Sequence, residues 1–331
     1  MRNIETSRRR PRAGDLAPFA ILALMIVTFA LLPVFTEYTV RTANVYDIFQ
    51  NFSSYGLVAL ALGITIIAGE FDLSVSSMYL LGGMVAVLTG AGSPIAGILA
   101  ALGAAILVGL VQGGLIAGFR LNSMPVTLGG YLVVLGTTYI LGDGKSVIYE
   151  DYNVGLELDE PIAQIFSIRS LVSLGIFVVA AIVLRYLRLG RDIRAIGGDR
   201  RAARVAGVSV DRLLVGVFVI SALGAALSGA LLSYSLATAS PTNIGVDVLT
   251  FSATAALIGG VSLSGGKGGA IGIAAGVLSL SVLQEILAIV RSPDYVASLI
   301  TGGLLVVVTI VWAPDLSQWF RTTRVAGAGR A

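Results

Sequence analysis

The chain has 331 residues, of which 56% are hydrophobic and only 12% charged, about half the charged share of an ordinary soluble domain. With a mean hydropathy of +0.91, that composition excludes a cytoplasmic enzyme, a nucleic-acid binder and a disordered scaffold, and leaves a polytopic helical membrane protein. The net charge is +3 with no His and no Cys, which excludes disulfides, thiolate or imidazole metal sites and Ser-His or Cys-His catalysis.

A transmembrane helix needs about 20 apolar residues, and the charge-free windows can be taken in order. The basic run Arg2, Arg8, Arg9, Arg10 and Arg12 leads into a first span over 16–36, which reads as an anchor without a cleavage site. The second covers 48–69. The window 73–119 is too long for one span and breaks at Gly90-Ala91-Gly92-Ser93-Pro94 into a third and a fourth. The fifth covers 121–142. The sixth begins near Ile162, tolerates Arg169 at one end and runs to Leu184. The seventh starts at Leu213 and passes into a polar connection before Val246. The eighth covers 248–266, the ninth 268–290 past Glu285, and the tenth 295–314. The expected fold class is therefore an all-α integral membrane protein of about ten helices, some broken or re-entrant. Residues 1–15 and 315–331 are its basic terminal tails, and 16–314 form one transmembrane domain.

Orientation follows from Lys and Arg. Sixteen of the 22 basic residues lie before the first span, between Arg185 and Arg212, or in the tail at Arg321, Arg324 and Arg330. These segments are expected in the cytoplasm, both termini included. The loop 143–161 carries Asp143, Glu150, Asp151, Glu157, Asp159 and Glu160 against Lys145 and is expected outside.

Glycine spacing at Gly109/Gly113, Gly114/Gly118 and Gly272/Gly276 suits close helix packing in lipid, and also arises by chance in a chain this rich in Gly. A faint echo links Gly69-Glu70-Phe71-Asp72-Leu73-Ser74 to Gly259-Gly260-Val261-Ser262-Leu263-Ser264, both after apolar runs. In the first stretch two carboxylates sit between apolar spans. They are read either as a turn with Asp72 or Ser74 capping the next helix, or as direct substrate contacts, since charge near membrane depth is costly. The second stretch continues through Gly265 and Gly266 and reads as a broken helix, a tight re-entry or a flexible turn. It is no phosphate loop. Counting back from Gly266-Lys267, Val261 stands where Gly is required, and Gly268 stands where Ser or Thr is required.

The basic loop, about 188–211, has its own architecture. Asp199 can cap a short helix running to about Ala206, and Gly207 can end it. That is more than orientation requires, and suggests a docking helix for a cytoplasmic partner.

These segments together resemble the permease subunits of ATP-binding-cassette sugar importers, the ribose, xylose, arabinose and galactoside branch. The similarity is carried by Gly69 to Ser77, Met124-Pro125-Val126-Thr127-Leu128-Gly129, Gly190 to Val208, Ala239-Ser240-Pro241 and Ile258 to Gly268, and extends over roughly 45–315. Glu70 departs from it, standing where Gly is more usual. The resemblance implies a bacterial inner-membrane subunit with no catalytic site and no cofactor of its own, so that ATP and Mg belong to a partner. Implied partners are a second permease chain, two ATPase domains, an extracytoplasmic sugar-binding protein and membrane lipid, with no nucleic acid. The cargo would be a monosaccharide or polyol. The element coupled to the ATPase would comprise Arg191, Asp199, Arg200, Arg201, Ala202, Ala203, Arg204 and Gly207, with the arginines bonding the partner and the small apolar residues filling its groove. The path would draw on uncharged polar residues inside spans, with Asn51, Tyr55, Thr127, Tyr131, Tyr139, Ser228 and Tyr234 as candidates, fewer than half of them facing it.

The competing class is an autonomous carrier or channel for a small polar solute. A coupled carrier would place carboxylates deep in its spans, whereas Glu70, Asp72, Asp247 and Glu285 all fall near predicted ends.

Overall fold

The computed structural model describes residues 13–35, 40–242 and 245–312. The arginines expected to mark the two tails lie outside them. In chain order the elements are α1 (Ala13–Phe35), α2 (Thr42–Ile67), α3 (Val75–Thr89), α4 (Pro94–Phe119), α5 (Ser123–Leu141), β1 (Val147–Ile148), α6 (Tyr152–Leu158), α7 (Ile168–Tyr186), α8 (Arg188–Gly198), α9 (Arg200–Val205), α10 (Val210–Ser235), β2 (Thr238–Ala239), α11 (Gly245–Ile258), α12 (Ala270–Ile289) and α13 (Asp294–Trp312).

Each of the ten expected spans has an apolar helix. Seven are long and apolar enough to cross a membrane, namely α1, α2, α4, α5, α7, α10 and α12, while the apolar stretches of α3, α11 and α13 are shorter. Three ends differ from expectation. α2 starts at Thr42, six residues ahead of the charge-free window, and takes in Asp47. α7 starts at Ile168, not near Ile162, because Ser167 and Ser170 form a reciprocal capping box and Ile162 bridges Phe166 in a tight turn ahead of it. α11 stops at Ile258, well short of Gly266. Its 14 residues rise about 21 Å, less than the roughly 30 Å hydrocarbon core. The 15 residues of α3 fall short in the same way. Backbone freed at such ends must be satisfied inside the protein.

α2 is the central helix. Phe52, Val58, Leu62 and Ile67 are fully buried on it, and Phe52 packs on Phe177 of α7 with ring centroids 4.9 Å apart. α10 lies across α2, α3 and α4. α1, α4, α5, α7 and α13 carry most of the exposed large apolar side chains, among them Leu107, Val133, Val179 and Leu299. An apolar exterior of this kind suits lipid, where water exerts no penalty.

The glycine pairs divide by what they touch. A methyl group on Gly109 would sit 2.6 Å from Val219 Cα, and one on Gly113 2.8 Å from Val215 Cα, so α4 and α10 meet backbone to backbone. Gly272 and Gly276 face Gly259 and Ala255 in the same manner, joining α12 to α11. Gly114 and Gly118 meet nothing within 4 Å. Alanine at Gly109 should therefore destabilise the chain by about 1–3 kcal/mol, and alanine at Gly114 should change stability by less than about 0.5 kcal/mol. Thermal unfolding of both variants in detergent checks this, and equal melting would contradict it.

At one end of the bundle β1 pairs antiparallel with β2, Val147 opposite Ala239 and Ile148 opposite Thr238. The acidic loop is thereby tied to the end of α10, and α6 settles on the same end, with Gly155 against the Tyr234 and Ser235 carbonyls. The opposite end holds α8 and α9.

Candidate functional site

α8 and α9 form a helical corner. α8 turns Gly190, Ile193 and Ile196 inward and ends at Gly197-Gly198. Asp199 then caps α9, accepting from the backbone N–H groups of Arg201 at 2.7 Å and Ala202 at 3.0 Å. Those two bonds, Ala202's foremost, hold its carboxyl below the usual carboxylate range. Gly207, at φ +84°, supplies the left-handed residue that stops the corner. The short helix expected over Asp199 to Ala206 is α9, whereas α8 ahead of it was read as loop.

The side chains of this corner divide differently from expectation. Ala203 is buried with Ile196, Val210 and Leu214, so it packs inward and is not available to a partner's groove. Arg200 forms an ion pair with Glu70 and also reaches the Gly69 carbonyl at 3.4 Å. Arg204 pairs with Asp211 at 2.8 Å. Ala203 marks the inward side of this six-residue helix, whereas Arg200 and Arg204 are paired within the chain and still exposed. Arg201, Ala202 and Val205 are exposed and form no ion pair among the described residues, Val205 being 90% exposed. Arg191 is exposed on α8.

The corner rests on two turns that are distant in sequence. α2 ends in a Schellman turn, with Glu70 N–H donating to the Thr65 carbonyl and Gly69 at φ +79°. α11 ends in the same turn, with Val261 N–H donating to the Ala256 carbonyl and Gly260 at φ +81°. The faint sequence echo is thus a shared turn, offset by one residue. The two turns touch. Gly266 N–H donates to the Ile67 carbonyl at 2.8 Å. A methyl group on Gly265 would lie 2.6 Å from the Gly197 carbonyl oxygen and 2.9 Å from Gly69 Cα. One on Gly69 would lie 3.3 Å from Gly197 Cα. Three segments therefore meet at bare backbone, in a space that admits no side chain. Within the 259–269 loop Ser262 N–H donates to the Lys267 carbonyl at 3.2 Å and its own carbonyl accepts from Gly265, while Leu263 and Ser264 remain exposed. Gly259 packs against the Gly272 carbonyl.

Beyond Glu70 the first turn runs into the interior. Asp72, 1% exposed, accepts from Ser74 N–H at 2.9 Å, Ser74 Oγ at 2.6 Å and Ser221 Oγ at 2.7 Å. Ser74 and Gln112 Oε1 are 2.9 Å apart. Phe71 N–H donates to Ser123 Oγ, and Leu73 N–H to Thr127 Oγ1. One turn is thus held by α4, α5, α9 and α10. Of the two readings of Asp72, the geometry favours organisation of the turn, since each carboxylate oxygen already has a donor within the chain.

The path candidates fall into four groups. Thr127 is used by that turn. Ser228 donates to the Ser54 carbonyl at 2.8 Å, and Tyr234 to the Ala86 carbonyl at 2.8 Å, joining helices. Tyr139 is exposed, and Asn51 and Tyr131 are half-buried. Tyr55 lines a cavity with Phe251, Asp247 and Asp294.

Sequence reasoning missed Arg169, which it placed only as a tolerated charge at a span end. Its side chain is 5% exposed. It donates to Asp159 at 3.0 Å, Ser54 Oγ at 3.0 Å and Gln50 Oε1 at 2.9 Å, and Asp159 also accepts from Ser235. The usable signal was that a charge flanked by an apolar run requires a partner. Among the described residues no group of three Asp or Glu gathers to hold a metal ion.

No solved structure matches the chain. The L-arabinose ABC transporter permease protein of Azospirillum brasilense is 31% identical over 300 residues, covering 88% of this chain and 86% of the relative. The D-allose transport system permease protein of Escherichia coli K12 is 30% identical, with 87% and 88% covered. The ribose import permease protein of the same strain is 28% identical, with 88% and 91% covered. Residues 44–309 match the family model for the branched-chain amino acid transport system permease component, and the chain belongs to that family of membrane permeases.

Proposed function

We propose that this chain is the permease subunit of an ATP-binding-cassette importer and forms the membrane path for a monosaccharide or related polyol. The relatives named above are permeases for arabinose, allose and ribose, which favours sugar over amino acid as the cargo. Two such chains would form the path, with ATP and Mg held by two ATPase domains on the cytoplasmic side. A sugar-binding protein would deliver cargo to the opposite face, where β1, β2 and α6 lie, and both termini would be cytoplasmic.

The convergence at Gly197 carries the mechanical part of this reading. α9 is in contact, through Arg200 and the adjoining glycines, with the turns that end α2 and α11. Displacement of α9 by an ATPase would therefore act on two buried helices at once. Arg201 and Val205 are the contact residues of that coupling helix, with Ala202 between them. Arg200 and Arg204 steady it through Glu70 and Asp211.

The test uses the outward pair alone. Arg201→Glu with Val205→Asp should weaken ATPase retention during purification about tenfold or more, since a buried interface anchor is worth roughly 2 kcal/mol. The chain itself should insert and fold normally. Normal uptake with a stably bound ATPase would remove the assignment. Uptake that persists without ATPase or binding protein would instead favour an autonomous carrier.

A further inference from the structure

α2, α11, α12 and α13 line an open cavity of about 490 Å³, within the roughly 300–1,000 Å³ usual for small-molecule sites. Asp247 and Asp294 stand at the starts of α11 and α13, and Gln284 lies in the last two turns of α12. The cavity is therefore nearer the end of the bundle away from α9. Its wall combines three kinds of group. Asp247 and Asp294 form no ion pair among the described residues, and no Lys or Arg lines the space. Tyr55 and Phe251 form an aromatic pair with centroids 4.6 Å apart. Thr301 is 7% exposed and lines the cavity, yet among the described residues its hydroxyl has no hydrogen-bond partner.

Each of these is open to whatever enters. Asp247 and Asp294 are exposed at the mouth of this space, where their oxygens can accept from an incoming group without first losing a partner, and Thr301 offers a hydroxyl not committed to its own helix, where such groups usually find a partner. A monosaccharide satisfies all three at once. Its hydroxyls donate to carboxylates and exchange bonds with Thr301 and Gln284. Its C–H face, slightly positive, packs on the negative face of an aromatic ring.

We infer that this cavity is a transit site for a monosaccharide, with Asp247 and Asp294 accepting from its hydroxyls and the Tyr55–Phe251 pair packing against its ring. The inference rests on the importer reading above. The site is a way-station. Few fixed donors mean a weak hold, which lets cargo leave toward the next position.

The absence of cysteine makes a direct test available. Ser298→Cys and Thr301→Cys place single thiols in the cavity wall. The complete complex, with its ATPase and binding protein, is reconstituted in vesicles and offered L-arabinose, D-ribose, D-allose and D-fructose in turn. A membrane-impermeant methanethiosulfonate should label both thiols, and labelling should slow several-fold while a transported sugar and ATP are present. Asp247→Asn with Asp294→Asn should lower uptake about tenfold, the effect of losing charged hydrogen bonds of roughly 1.5 kcal/mol or more. ATP hydrolysis stimulated by the binding protein should persist in that variant.

Thiols that do not label, labelling unaffected by a sugar the native complex imports, or native uptake by the double variant would each overturn the site and leave the importer reading standing. Protection by sodium chloride relative to choline chloride, with none from sugar, would overturn it in favour of a cation site. A native complex that imports none of the four sugars removes the importer reading and the site with it. If the double variant does not insert, thiol protection alone decides.

Discussion

Alanine at Gly197 is expected to abolish transport, while alanine at the adjacent Gly198 is expected to leave it intact. A Cβ at Gly197 would overlap the Ile67 carbonyl oxygen and lie 2.6 Å from Gly266 N. Both are backbone atoms, and they are already hydrogen-bonded to each other, so neither can move without breaking that bond. Overpacking of this kind costs about 1–3 kcal/mol or more. At 1.4 kcal/mol per tenfold, the upper end shifts docking of the corner by roughly 100-fold. A Cβ at Gly198 meets nothing within 4 Å. The two substitutions are chemically the same and one residue apart, so general effects of Gly→Ala cancel. Uptake and ATP hydrolysis by the two reconstituted variants are the measurement. Equal behaviour would show that the three-segment contact does not transmit work.

Arg169→Met is expected to destabilise the chain by about 3 kcal/mol, near the lower end for breaking a buried ion pair because Asp159 is 30% exposed. The loss has two parts. Asp159 forfeits its counter-charge, and Gln50 and Ser54 forfeit a donor at buried or half-buried positions. Lysine should recover less than half of it, since one ammonium cannot reproduce the guanidinium fork. Thermal unfolding in detergent reads both variants. A Met variant that melts with the native chain would show that the network is replaceable by water.

Where the physics is local, the sequence was readable. Charge-free windows located all ten apolar helices, because a bilayer imposes one length and one composition on each. α9 was legible because Asp199 and Gly207 are start and stop signals written within its own span. α8 was not. Its arginines made it look like loop, while the inward positions Gly190, Ile193 and Ile196 recur at helical spacing. The turn at Asp72 was legible as a turn but not as a hub, since its partners come from Gln112, Ser123, Thr127 and Ser221. Contacts over such separations leave no periodic trace. Arg200 illustrates the same limit. Its charge suggested a partner protein, and nothing local announced its ion pair with Glu70, 130 positions earlier.

α10 is a rod that runs from one face of the molecule to the other. Its 26 residues rise about 39 Å, from the α9 corner at Val210 to the hairpin at Thr238. Midway, Ser221 is pinned to Asp72 at 2.7 Å. The two faces of the molecule are therefore indexed to one another like gears on a common shaft. One residue inserted between Ser221 and Ser235 would rotate the acidic loop by about 100° relative to the interior. A deletion there would rotate it the other way. Loops on either face can change length freely, but the length of this helix is quantised in turns.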